Sequence, residues 1–111
     1  MSTLKYNNEC LAILFELFGS YPPKSDKHII KIIDNMLFNG FDMRCTREGG
    51  ASAIIVAVNQ NRKELVEFLF QAGGIIGRDE KWVNIPITKL MANDWKVDIE
   101  LQELVINNMS P

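Results

Sequence analysis

The thiol and imidazole side chains that could form a nucleophile–base pair are few in this chain, and they lie far apart in the sequence. The thiols are Cys10 and Cys45, and His28 is the only histidine. Thiol catalysis needs a base within hydrogen-bonding reach of the sulfur, and no sequence signature brings His28 to either cysteine. We therefore expect no catalytic site. A cavity with His28 beside a thiol would favour the alternative of a small helical enzyme or ligand-binding domain with a core pocket, whereas a filled core would count against it.

We also expect no cofactor and no metal ion. No Cys-x-x-Cys pair or cysteine–histidine cluster has the spacing of a zinc site, so both cysteines are expected to be reduced and structural. Gly49-Gly50 and Gly73-Gly74 lack the spaced glycine and lysine of a phosphate-binding loop. They are typical of tight turns, in which glycine supplies a positive φ.

Length and charge narrow the range of partners. The chain has 111 residues, enough for one domain, and a formal net charge of −2 without a cluster of lysine and arginine. Nucleic-acid affinity depends on such clusters, so we expect no nucleic-acid partner. Residues 94–103 are locally acidic and form either a solvated helix face or an edge that meets a basic partner. The chain has no membrane-spanning apolar run and no signal peptide, so the expected location is the cytoplasm.

Apolar periodicity predicts helices over much of the chain. Residues 4–18 carry a broad apolar stripe, which ends before Pro22-Pro23 because proline cannot continue the helical hydrogen bonds. Ser25 or Asp26 can cap a second helix that ends at Phe38, before a glycine suited to a helix terminus.

Two further segments, 64–72 and 99–106, follow a helical pattern. Residues 51–58 and 82–90 are ambiguous, because apolar runs with β-branched side chains suit a buried strand as well as a buried helix.

An internal repeat resolves this ambiguity in favour of helices. Asn39-Gly40 recurs as Ala72-Gly73, and Ala53-Ile54 recurs as Pro86-Ile87 at the same spacing. Each of the two glycines follows an apolar helical segment. A period of about 33 residues is typical of stacked helical repeats.

In this register the chain resembles the ankyrin repeat. Residues 50–58 (GASAIIVAV) stand where that family has Gly-x-Thr-Pro-Leu-His-x-Ala-Ala, and residues 85–88 (IPIT) match its Thr-Pro-Leu-His. Residues 64–73 match its second helix and closing glycine, and residues 39–43 match the entry into its finger. The resemblance covers residues 28–95. It implies an all-α fold, namely a short α-solenoid of helix-turn-helix repeats in one domain, 1–111, with approximate units 4–45, 46–78 and 79–111 and divergent terminal caps.

Three departures from the family pattern concern the fingers and the caps. Val83 stands where a finger glycine belongs, and residues 4–18 do not align with a first repeat. Asp98 interrupts the apolar pair expected in the last repeat. Terminal repeats are usually atypical, because their outer faces meet water.

The resemblance implies a non-catalytic protein–protein interaction module, acting as a small stand-alone inhibitor or adaptor. In that family, side chains that are free of packing line one surface along the fingers and the helix starts. Trp82 is the main candidate, either as an exposed anchor or as a side chain that folds back onto the core. The candidate partner-binding residues, by position, are Arg44, Thr46, Arg47, Glu48, Asn59, Gln60, Asp79, Lys81, Trp82, Asn84 and Asn93.

The expected partner is another protein. Small ankyrin-like chains occur among immunity proteins that neutralise bacterial toxins, so the resemblance adds a toxin domain or effector target to the partners to be tested. We expect a monomer when the partner is absent. The remaining alternative is a self-associating structural module, because a short repeat array exposes apolar end faces.

Overall fold

The structure is a computed structural model, and it describes residues 3–45 and 52–110. These residues form six helices and one short hairpin. The prediction of a mostly helical fold is confirmed. In the first ambiguous segment, residues 53–58 are helical, and the second segment divides into a hairpin and a helix. The elements are α1 (Thr3–Phe18), α2 (Asp26–Phe38), α3 (Ala53–Asn59), α4 (Lys63–Gln71), β1 (Lys81–Trp82), β2 (Ile85–Pro86), α5 (Ile87–Ala92) and α6 (Ile99–Asn108).

The helices follow one another in three pairs, α1 with α2, α3 with α4, and α5 with α6. Helix α1 packs against α3, while α4 packs against both α2 and α6. Buried apolar side chains from all six helices form one continuous cluster. Its largest fully buried members include Leu14, Ile29, Ile33, Ile54, Ile55, Leu65, Leu69, Ile87 and Leu101.

Serine side chains cap the first turns of two helices. The Oγ of Ser25 accepts a hydrogen bond from the backbone N–H of His28 at 3.1 Å, so the predicted start of the second helix is correct. The Oγ of Ser52 accepts in the same way from the N–H of Ile55 at 3.4 Å. Each serine satisfies one of the backbone donors that a helix leaves free at its N-terminus.

Helices α2, α3 and α4 end in the same backbone conformation. Each is followed by a left-handed residue, namely Gly40, Asn61 or Gly73, with φ of 100°, 57° and 104°. The N–H of that residue and the next N–H bond back to carbonyls three and five residues earlier. Asp94, which lies one repeat length after Asn61, is also left-handed, with φ of 62°. The repeat spacing of the sequence is thus present in the backbone angles.

Gly74 allows α3 and α4 to approach closely. A Cβ atom at this position would lie 2.8 Å from the carbonyl oxygen of Leu69 and 3.2 Å from the Cδ1 of Ile54. The first contact is with the backbone of α4 itself, so a larger residue would distort the turn that closes α4, and its contact with Ile54 would press that turn away from α3.

The turn between α3 and α4 is bonded to the first helix pair. An Nη1 of Arg62 donates to the carbonyl of Lys24 at 2.7 Å and to the Oδ1 of Asp26 at 3.1 Å. The Nε of Arg62 donates to the Oε1 of Gln60 at 2.8 Å, and the Nε2 of Gln60 donates to the carbonyl of Phe18 at 2.9 Å. The side chains of Arg62 and Asp26 are only 11% and 21% exposed, so water screens this pair much less than a surface pair.

The same turn is also bonded to the third helix pair. The Oδ1 of Asn61 accepts from the backbone N–H of Asp98 at 2.8 Å. The Oδ1 of Asn59 accepts from the indole Nε1 of Trp95 at 3.1 Å. Residues 59–62 therefore hold all three helix pairs together, and we call them the central turn.

We predict that Arg62→Ala lowers the free energy of unfolding by about 2 kcal/mol, because it removes charge-assisted hydrogen bonds from a mostly buried carboxylate and carbonyl. The matched control is Arg44→Ala, which removes an arginine from an exposed pair with Asp42 at 3.3 Å and should cost less than about 1 kcal/mol. Urea unfolding measures both values. Equal losses for the two variants would contradict the role assigned to the central turn.

Candidate partner-binding surface

A short hairpin with a two-residue turn lies between the second and third helix pairs in the sequence. Strands β1 and β2 are antiparallel, with Trp82 opposite Ile85. The two residues between them, Val83 and Asn84, have φ of 51° and 64°, which is the pattern of a type I′ turn. The backbone N–H of Ile87 donates to the carbonyl of Glu80 at 2.9 Å and closes the base of the hairpin.

Val83 occupies a backbone conformation that its side chain disfavours. A β-branched residue at positive φ is rare, and an L-residue in this region costs roughly 1–2 kcal/mol. The Val83 side chain is 74% exposed, so little packing offsets that cost. The residue stands where the family pattern has glycine, and the structure shows why glycine would be the easier choice there. Neither local preference nor burial explains an apolar side chain at this tip.

Trp82 lies at the edge of the core. It is partly buried and packs against the hydrophobic cluster, while the rest of its ring remains accessible. The two interpretations given above, anchor and core filler, each describe part of this side chain. Whether Trp82 contacts a partner stays a prediction.

Several sequence-predicted residues meet at this hairpin. Asp79, Lys81 and Asn84 are exposed beside Trp82, and Ile85 is also exposed. We call residues 79–85 the finger surface. Burial raises the pKa of Glu80, the residue at its base, and the neighbouring charge of Asp79 raises it further, while the backbone N–H of Lys81 lowers it.

Arg44 is presented by a loop that α1 holds in place. The buried Asn7 accepts a hydrogen bond through Oδ1 from the backbone N–H of Asp42 at 3.0 Å. Asp42 in turn bonds the backbone and the guanidinium of Arg44, and these hydrogen bonds lower the pKa of its carboxyl. Arg44 is therefore exposed but oriented. The candidates that follow it, Thr46, Arg47 and Glu48, lie outside the described residues.

The candidates at the helix ends make hydrogen bonds within the protein. The side-chain amides of Asn59 and Gln60 each donate a hydrogen bond to a backbone carbonyl. The amide oxygen of Asn59 accepts from Trp95, and that of Gln60 accepts from Arg62. The Nδ2 of Asn93 donates to the carbonyl of Lys89 at 2.8 Å, and its side chain is exposed. Asn59 and Gln60 thus have fewer free polar atoms for a partner than the finger residues do.

A groove between α1 and α2 contains the thiol and imidazole considered from sequence. It has a volume of about 680 Å³, and Cys10 and His28 are both among its lining residues. Cys10 is buried, and this burial raises the pKa of its thiol, with a contribution from the charge of Glu9 and an opposing hydrogen bond from Tyr6. A thiol in this environment stays protonated at neutral pH and is a weak nucleophile.

Sequence reasoning missed three residues that bond the helix pairs to one another. Asp26, Asn61 and Arg62 bond elements that are 36 to 39 residues apart, and no local pattern reports such pairings. From sequence, Val83 is notable only as a missing glycine. Its mismatch with the family pattern was the available signal that the finger tip is unusual.

Within residues 3–45 and 52–110, no three histidine, cysteine or acidic side chains form a group that could hold a metal ion. In the same ranges, no helix combines the length and the apolar character needed to cross a membrane. No family model, curated protein or solved structure matches the chain.

We predict that Val83→Asn raises the free energy of unfolding by about 1 kcal/mol, because asparagine tolerates the left-handed conformation and little buried apolar area is lost. Val83→Thr keeps the branching at Cβ and serves as the control, with no gain expected. Thermal and urea unfolding report the change. A stability loss with asparagine would show that the valine side chain packs against the protein after all.

Proposed function

We propose that this chain is a non-catalytic protein-binding module, built as a short, divergent ankyrin-like array that presents its finger surface to another protein. The observation that carries the proposal is the exposed, left-handed Val83 at the tip of the hairpin. Strained and exposed apolar residues cost stability, and proteins retain such strain mainly at functional sites.

The repeated backbone supports the ankyrin-like part of the proposal. Gly40 and Gly73 close α2 and α4 with nearly equal φ and stand one repeat length apart, as do Asn61 and Asp94 after α3 and α5. Helix pairs joined by short turns and followed by an extended finger are the unit of that family. The divergent parts are the long first helix and the link between α5 and α6, residues 93–98.

The finger surface has the composition of a small binding interface. Val83 and Ile85 offer apolar area beside the accessible part of Trp82, and Lys81 and Asp79 add charges of both signs around it. An apolar centre with a polar rim is typical of protein–protein contacts. Tryptophan is also among the residues that most often dominate binding energy.

Binding of this kind acts by covering a site on the partner. A chain with these properties suits an inhibitor or adaptor, and an immunity protein that neutralises a toxin domain is the most specific form of the proposal. The enzyme alternative has one supporting observation, the groove that contains Cys10 and His28. The raised pKa of the buried Cys10 thiol argues against nucleophilic chemistry there.

The test is capture of the partner from a lysate of the source organism on the immobilised chain, followed by affinity measurements with variants. Trp82→Ala should weaken binding by about 2 kcal/mol or more, which is roughly 30-fold, if the ring is an anchor. Lys81→Glu reverses an exposed charge on the same surface without affecting the core, and should weaken binding while the fold stays intact.

Trp95→Ala is the matched control, because Trp95 is also partly buried at the edge of the core but bonds to the central turn. It should lower stability without a specific effect on the affinity of the folded protein. Circular dichroism separates loss of fold from loss of binding. A folded Trp82→Ala and a folded Lys81→Glu that both bind as tightly as the wild type would disprove the finger surface as the binding site.

A further inference from the structure

One end of the helix stack is an open apolar groove. The groove between α1 and α2 is lined only by residues of these two helices, so the other helices leave it uncovered. Ile13, Ile32 and Met36 supply apolar side chains, and Ile13 remains 47% exposed. Lys31 and His28 lie on the α2 side of the groove and are exposed. We call this the α1–α2 groove.

The other end of the stack exposes a ridge on α6. Ile99 and Ile106 are two helical turns apart and therefore lie on one side of the helix, and they are 67% and 56% exposed. Glu103 lies between them and is exposed as well. We call this the α6 ridge. A terminal repeat normally carries polar residues on its outer face, and two exposed isoleucines depart from that rule.

The α2 side of the groove and the α6 ridge carry opposite charges. Helix α2 exposes Lys27 and Lys31, while Glu9 lines the groove on the α1 side, and α6 exposes Glu100 and Glu103. A comparable contact already exists within the chain, because the Nζ of Lys63 on α4 bonds the Oε2 of Glu100 on α6 at 3.0 Å. Lysine on one helix of this row can therefore meet glutamate on the next.

The internal packing also explains why the two ends should fit. Helix α4 packs against α2 and against α6, so helices of this row stack on one another in succession. In a repeat stack each unit contacts its neighbours in similar ways, so two free ends that lack polar outer faces can pack on one another in the same way. In such a stack, the α6 ridge of one chain packs on α2 of the next chain in the way that α4 packs on α6 within one chain.

We propose that the α1–α2 groove receives the α6 ridge of a second copy of this chain, in a head-to-tail contact. Ile99 and Ile106 enter the groove beside Ile13 and Ile32, and Glu103 faces the lysines of α2. Because the two faces differ, the contact is heterologous and can continue to a third copy and beyond. The finger surface belongs to neither face, so this proposal is independent of the proposed function. With this contact, the monomer expected from the sequence is the main form only in dilute solution.

The test uses two variants that each block one end. Ile106→Arg places a charge on the α6 ridge, and Ile13→Arg places one beside the groove; both positions are about half exposed, so the fold should tolerate the change. We expect the mass of the wild type to rise with concentration beyond two copies in sedimentation velocity. Each variant alone should stay monomeric.

An equimolar mixture of the two variants should form dimers and stop there, because Ile106→Arg keeps an intact groove and Ile13→Arg keeps an intact ridge. Val83→Arg, which alters the finger tip, is the control and should associate as the wild type does. Circular dichroism confirms that each variant is folded.

Three outcomes would overturn the proposal. The first is a wild type that stays monomeric from micromolar to millimolar concentration. The second is loss of association in Ile106→Arg but not in Ile13→Arg, which would indicate a symmetric contact between two α6 ridges. The third is a mixture of folded variants that remains monomeric while the wild type associates. A monomeric wild type that binds a lysine-rich helical peptide would assign the α6 ridge to a different partner.

Discussion

The structure depends on the central turn, because four consecutive side chains there hold the three helix pairs together. Gln60 and Arg62 bond the first pair, and Asn59 and Asn61 bond the third. Each such hydrogen bond contributes only about 1 kcal/mol, and those of Arg62 somewhat more because they involve charge. Together they set the position of one pair relative to the next, which apolar contacts between smooth helix faces specify poorly. The left-handed Asn61 makes this possible, since the turn it closes is short enough to reach both neighbours.

The same packing limits where a partner can bind. The residues of α3 from Ala53 to Val58 are all buried, so α3 presents no free helix face along that stretch. The expectation that helix starts contribute to a binding surface is weakest here, because Asn59 and Gln60 are engaged in the central turn. Accessible apolar area is found instead at the hairpin, on the outer faces of α1 and α6, and at Tyr21, Phe38 and Ile75, which lie at or beyond helix ends.

Much of the helical framework could be predicted from the sequence, because it rests on local physics. The serine cap of α2, the glycines that close α2 and α4, and the apolar stripes all act within a few residues. The contacts of Arg62 could not be predicted, because they join positions 36 to 38 residues apart. Val83 shows a second limit. Propensity assigns a β-branched valine to a strand, yet the antiparallel pairing of Trp82 with Ile85 forces it into the turn. Here the pairing of the two hairpin strands overrides the preference of a single residue.

The places where this chain departs from the rules of a stable fold bear on the function proposed for it. An active site usually concentrates such departures inside the protein, as buried polar groups without partners or as charges held in an apolar pocket. Among the described residues, every buried side-chain nitrogen and oxygen atom has a hydrogen-bond partner. The departures lie on the surface instead, in the strained valine of the hairpin and in the isoleucines of the α6 ridge. Each would be relieved by contact with another molecule, since contact buries the apolar area that the folded chain leaves exposed. That distribution supports the proposal that the chain acts through the surfaces it presents.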